Sequence, residues 1–248
     1  MEVEVYGINV HASGKGDFLF VHGAGMNSDV WRRQQSSLGG IALDLPNHGK
    51  SDEMVVNSVK DYARFLVELV DALEHEPVVV GHSMGGAIVQ EYLALGGVAR
   101  GAVLVSTAPS LRVNPKIIEG IDRDFQGTVE RFAGWMFSRN FTGKRVIEGI
   151  IKTILREGKE TFKRDLLICD SFVIEGRYRN GEIEFDCPVL IVCGNEDIVT
   201  PPHNSEFLRE YIDSSRLVFI HGCGHLPMIE TPEEFSKILR RFQDELSV

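Results

Sequence analysis

Residues 81–85 read GHSMG, a serine flanked at two positions' distance by Gly81 and Gly85. The β-branched run VVV (78–80) precedes it, and a stretch with helical apolar spacing follows. A serine at such a strand-to-helix turn projects its Oγ beyond the sheet, and glycine is needed wherever a Cβ would strike neighbouring backbone. The bland alternative is a turn whose serine merely caps the helix. A reactive Ser83 needs more: a base to take its proton, a group to orient that base, and donors for the negative charge that develops.

Eight histidines compete for the role of base. His11 and His75 fall in edge or surface contexts, His203 in a helix start, and His22, His48 and His82 in glycine-flanked turns where they shape loops. His221 and His225 both follow the last apolar run, in HGCGHLPMIETPEEF. His225 lies further out and is free to reach across strand ends, whereas His221 abuts the strand. For the orienting carboxylate, GNEDIVTPP (194–202) offers Glu196 and Asp197. Asp197 is preferred, Glu196 is expected to be exposed, and Asp44 is a weaker candidate at another strand end. The order Ser83, Asp197, His225 matches the order in which a nucleophile-elbow triad runs along the chain. The Met84 N–H, at a helix N-terminus, suits an oxyanion. A second donor is expected from HGAGMNSDVW (22–31), with Ala24 N–H favoured and Gly25 as the alternative.

These groups must be carried by a scaffold. Apolar runs at 18–22, 41–45, 78–81, 102–106 and 189–193 read as strands buried on both faces, with a sixth at 217–220. The first dozen residues alternate and read as an antiparallel edge hairpin. Helical patterns occupy 59–73, 84–95 and 232–246. Alternating strands and helices predict an α/β fold with a doubly wound, mostly parallel sheet, in which ligands sit beyond the strands' carboxyl ends. From 109 to 185 the alternation lapses into helical stretches (128–137, 145–156, 159–169). This segment is expected to be a helical cap inserted into a core made of 1–108 and 186–248. It holds 14 of the 26 basic and 12 of the 36 acidic residues, so it is near +2 while the rest is near −12. Either its helices simply alternate charge on solvated faces, or the cap attracts a substrate with an anionic portion.

At 248 residues the chain can bury a substantial core, and its net charge of −10 argues against nucleic acid as the main partner. The start, MEVEVYGINV, has no basic n-region, and no apolar run is long enough to span a bilayer, so a cytoplasmic location is expected. The four cysteines show no metal-ligand spacing and read as small buried hydrophobes, with a disulfide open only for a hyperthermophile source.

Across HGAG (22–25), DLPNHGKS (44–51), GHSMGG (81–86), GNEDIVTPP (194–202) and GCGHLPMIETP (222–232), the sequence resembles the α/β-hydrolase fold superfamily over nearly its whole length. The resemblance implies acyl transfer to Ser83, hydrolysis of the acyl-enzyme, and a cap covering the acyl pocket. Branches with an aspartate nucleophile are excluded by serine at 83. Asn47 stands where the family usually has glycine, and the extended HGGG loop of some esterases is reduced to HGAG. The compact cap is similar to those of small esterases and enol-lactonases. A carboxylesterase acting on small-molecule esters is the leading expectation. An acyl-CoA thioesterase is the runner-up, for which the relatively basic cap would meet a CoA phosphate. Lactone or carbon–carbon bond hydrolysis would use the same triad, and a non-catalytic ligand receptor is the reading from another class. No metal or organic cofactor is implied.

Overall fold

The computed structural model describes residues 2–73 and 75–247; Met1 and Val248, which close the expected core boundaries, lie outside the described residues. In chain order the elements are β1 (Glu2–Val5), β2 (Ile8–Lys15), β3 (Phe18–Val21), α1 (Arg32–Leu38), β4 (Gly40–Leu43), α2 (Val59–Asp71), β5 (Val78–His82), α3 (Met84–Ala94) and β6 (Gly101–Val105). There follow α4 (Pro115–Arg123), α5 (Phe125–Met136), α6 (Lys144–Glu157), α7 (Lys159–Ser171) and α8 (Glu175–Arg179). The chain then forms β7 (Val189–Gly194), α9 (Pro202–Tyr211), β8 (Ser215–Ile220), α10 (Pro227–Glu230) and α11 (Pro232–Glu245).

The strands form one sheet in the order β1-β2-β4-β3-β5-β6-β7-β8. β3 to β8 run parallel, whereas β1 and β2 add an antiparallel edge. The hairpin between β1 and β2 turns through Tyr6 and Gly7, both with positive φ, the geometry that matches strand twist. Every residue of β3 to β7 is buried, which is why these segments read as unbroken apolar runs. β8 lies at the edge and is only half-buried in its middle; it begins at Ser215, two residues earlier than its apolar core implies.

Register aligns the strands' carboxyl ends. Val21 pairs with both Leu43 and Gly81, His82 with Val105, Val105 with Val192, and Gly194 with Ile220. The loops after β3, β4, β5, β6, β7 and β8 therefore leave along one edge, where Ala24, Ser83, Asp197 and His225 lie, with Gly81 at the end of β5 and Met84 and Gly85 opening α3.

Helices α4 to α8 all lie between β6 and β7. The two ends of this insertion are stitched to each other: Ser110 bridges Val173, and Ile174 N–H donates to the Pro109 carbonyl at 2.9 Å. Arg177 on α8 reaches the nearly buried Glu91 of α3 at 2.8 Å. Four helices lie outside the sequence expectation, α1, α4, α8 and α10, whereas α9 begins at Pro202, beside the helix start expected at His203. α5 also starts three residues before its expected position, where Asp124 caps it by accepting from Gly127 N–H.

Candidate active site

β5 ends at His82 and α3 begins at Met84, so one residue makes the whole turn. That residue, Ser83, has φ 54 and ψ −114, a conformation strained for any side chain. It is held there by two bonds, Ser83 N–H to Val105 carbonyl at 2.9 Å and Thr107 Oγ1 to Ser83 carbonyl at 2.8 Å. A Cβ at 81 would collide with the backbone of Gly85, and one at 85 with the carbonyls of Val21 and His22. Ser83 makes no side-chain cap bond, so the capping explanation for its presence falls away.

His225 is 1% exposed, and its Nδ1 lies 2.9 Å from Asp197 Oδ2. A carboxylate only accepts, so Nδ1 carries the proton and Nε2 is left as the basic nitrogen. The residue is seated from two sides through its backbone: the His225 backbone N–H donates to the Met136 carbonyl at 2.7 Å, and His82 Nε2–H donates to the His225 carbonyl at 2.9 Å. Glu230 braces the same loop, accepting from Gly224 N–H and, across the gap to the insertion, from Ser138 N–H, each at 2.9 Å.

Asp197 is 2% exposed and fully engaged. Oδ1 accepts from the amides of Val199 and Thr200, and Oδ2 from Thr200 Oγ1 as well as His225, all at 2.9 Å. Burial raises its pKa, but His225 and these bonds outweigh that and hold it below the usual carboxylate range. Asp44 instead accepts from the Ser28 and Lys50 amides, and Glu196 from the Arg139 amide. His221 is exposed.

The two expected amide donors differ from their alternative in one respect. Gly25 N–H is already taken by Asp165 Oδ2 at 2.8 Å, whereas Ala24 and Met84 N–H make no hydrogen bond among the described residues. Gly23 is glycine for a local reason: a Cβ there would lie 2.9 Å from His82 Nδ1 and 3.2 Å from Ser83 Cβ. His82 Nδ1 is buried without a partner, and burial lowers the ring's pKa to about 3, so the ring is neutral. Asn47 has φ 70, the left-handed conformation asparagine tolerates, and its amide bridges the Met54 backbone.

Ala24, Ser83, Thr200 and His225 open onto one cavity of about 540 Å³. Its other walls are mostly apolar, with Phe132, Trp135 and Met136 from α5, Leu166 and Cys169 from α7, and Leu111 and Val113 from the loop after β6. Trp135 and Ile198 are 44% and 59% exposed and mark its mouth, alongside Arg112 and Asn114. All four cysteines are buried free thiols. Among the described residues no cluster of three metal-ligating side chains occurs, and no helix is long and apolar enough to cross a membrane.

Sequence reasoning missed several supporting groups. Thr107, Thr200 and Glu230 act through hydrogen bonds that carry no spacing signal. Asp165 sits in a helix pattern where it reads as one more charge on an amphipathic face.

Residues 18–238 match the model of the alpha/beta hydrolase family, and the chain belongs to that family. It is 34% identical to a solved thermophilic esterase, covering 99% of this chain and 97% of that one with a TM-score of 0.93. It is also 27% identical to a pimeloyl-[acyl-carrier protein] methyl ester esterase of Nitrosomonas europaea, over 92% of this chain and 96% of that protein. The fold is shared with an enol-lactonase from Burkholderia xenovorans LB400, at 17% identity and a TM-score of 0.86 over 98% of this chain and all of that one.

Proposed function

We propose that the chain is a serine carboxylesterase in which Ser83 is the nucleophile, His225 the general base and acid, and Asp197 the group that orients and charges it. The observation that carries this reading is the buried Asp197–His225 hydrogen bond of 2.9 Å, facing a cavity that Ser83 shares. His225 Nε2 takes the Ser83 proton as Oγ attacks the ester carbonyl carbon. The carbonyl oxygen becomes an oxyanion between the amides of Ala24 and Met84, with the α3 N-terminus adding its dipole. Collapse expels the alcohol, protonated by His225; a water then attacks the acyl-enzyme by the same route and releases the acid. Asp197 stays ionised throughout and stabilises the imidazolium.

Residues 109–185 act as the cap in this reading, and their apolar lining favours an acyl chain over a polar leaving group as the buried portion. The names of the curated relatives point further, to a methyl ester at the end of a long acyl group. A cavity of about 540 Å³ with a mouth at Trp135 and Ile198 leaves room for such a chain to run outward.

The test is a panel of p-nitrophenyl and methyl esters of increasing acyl length beside acyl-CoA thioesters, run with wild type and Ser83→Ala. Ester turnover that Ser83→Ala abolishes supports the assignment. Thioester turnover exceeding ester turnover would move the substrate class, and activity surviving in Ser83→Ala would refute the mechanism.

A further inference from the structure

One buried charge network has no part in the chemistry above. Asp165, on α7, and His48, in the loop after β4, are both fully buried, with Oδ2 and Nε2 2.7 Å apart. The other ring nitrogen, Nδ1, lies 3.0 Å from the Pro46 carbonyl. A neutral imidazole has one proton and can donate to only one of these acceptors. Both bonds form together when the ring is an imidazolium, and the contact is then an ion pair. Burial disfavours charge on His48, but Asp165 outweighs it and holds the ring's pKa above its ordinary value. The neighbouring His22, whose ring lies 4.8 Å away, stays neutral: its Nδ1–H donates to the Gly23 carbonyl and its Nε2 accepts from Leu45 N–H.

The oxygen that meets His48 also accepts from Gly25 N–H at 2.8 Å. Gly25 follows Ala24 directly, so this bond fixes the peptide plane adjoining the candidate oxyanion donor. α7 closes over the loop at the same point, since a Cβ on Gly25 would lie 2.5 Å from the Phe162 ring. Glu157, at the end of α6, ties the same two loops further along, accepting from Asn27 Nδ2 at 2.7 Å and Gly49 N–H at 2.8 Å. Asp165 is the carboxylate that bonds next to Ala24.

We propose that Asp165 is a positioning residue for the oxyanion donor: paired with His48 and bonded to Gly25 N–H, it holds Ala24 N–H where the ester oxygen gains charge. The helical insertion thus contributes to catalysis as well as to binding. This rests on the serine esterase reading given above. A donor worth two to three decades of rate when removed loses part of that when its loop shifts by an ångström or less.

The experiment compares wild type, Asp165→Asn and Ser83→Ala in p-nitrophenyl butyrate turnover and in binding of a trifluoromethyl ketone, a tetrahedral oxyanion mimic. Asparagine keeps the shape, but no single atom of its amide can serve His48 and Gly25 while leaving the Pro46 bond intact. The expected result is a kcat lower by about ten- to a hundredfold, with weakening of the ketone in proportion and KM within about threefold. A merely structural role would lower the melting temperature and leave kcat and ketone affinity of the folded protein within about twofold of wild type, and that result overturns the proposal. If Asp165→Asn does not fold, ¹⁵N NMR of wild type decides: both His48 nitrogens protonated at neutral pH supports the pair, and a neutral ring overturns it. Turnover persisting in Ser83→Ala would instead remove the esterase mechanism itself, so the two failures are distinguishable.

Discussion

Replacing Asp197 with asparagine changes one atom and should remove nearly all turnover. The buried carboxylate accepts two backbone amides at Oδ1 and the His225 ring at Oδ2. An asparagine has two ways to sit there. With its carbonyl kept on the Val199 and Thr200 amides, its NH2 faces His225 Nδ1, which must then become an acceptor. With the amide flipped, NH2 meets two backbone N–H groups, leaving both unmatched at about 1–3 kcal/mol each. A difference of at least about 2 kcal/mol favours the first orientation roughly thirtyfold. The ring proton therefore moves to Nε2, the atom that must receive the Ser83 proton. A base held in the wrong tautomer costs about 10⁴ in kcat, or about 5.5 kcal/mol of barrier. Asp197 is not among the cavity's walls, so KM should change little. Initial rates on p-nitrophenyl butyrate, with melting temperature as the check on folding, measure this. A folded Asp197→Asn protein within tenfold of wild-type kcat would refute the assigned role.

Stability should fall between pH 7 and pH 5. Burial lowers the His82 pKa to about 3, so its contribution is complete above the unfolded value near 6.5 and declines as the pH drops toward the folded one. That amounts to about 2 kcal/mol by pH 5, and His22 is lowered in the same direction. His48 is raised, so its contribution is full below 6.5 and is lost only on the alkaline side. Thermal melts read this, and a melting temperature that is flat or rising from pH 7 to 5 would contradict it. Gly85→Ala should cost about 2–3 kcal/mol or more by driving a methyl into the Val21 and His22 carbonyls, visible as a melting temperature lower by roughly 5–10 °C. Trp135→Ala, at the half-exposed mouth, should leave acetyl ester turnover nearly intact. It should lower kcat/KM for octanoyl esters by about fivefold, through loss of apolar contact worth about 1 kcal/mol. An unchanged chain-length profile would place the acyl chain elsewhere.

Much of this arrangement is legible in the sequence because the sheet interior leaves no choice. Strands covered on both faces must be apolar throughout, and the segments at 78–82 and 189–194 announce themselves that way. Gly81 and Gly85 are readable because their neighbours exclude any side chain. Edge position hides the start of β8, whose middle is half-exposed, and short helices such as α8 and α10 give little periodicity. Among candidate site residues, His225 is separated from His221 by its distance along the loop, and Asp197 from Glu196 by the exposure expected of the glutamate. The choice between Ala24 and Gly25 could not be read in that way. It turns on Asp165, 140 residues away, which occupies the Gly25 amide. His48 reads as a loop-shaping histidine, and shaping a loop is what it does, but its charged partner comes from a helix that no motif connects to it.

The proposed nucleophile, Ser83, can be tested by covalent labelling. Treating the protein with a fluorophosphonate, then taking intact mass and peptide maps, does this directly. One equivalent of phosphonate on Ser83, formed in step with loss of ester turnover and absent from Ser83→Ala and His225→Ala, is the predicted result. Labelling at another residue, or full ester turnover in protein whose Ser83 is completely modified, would contradict it.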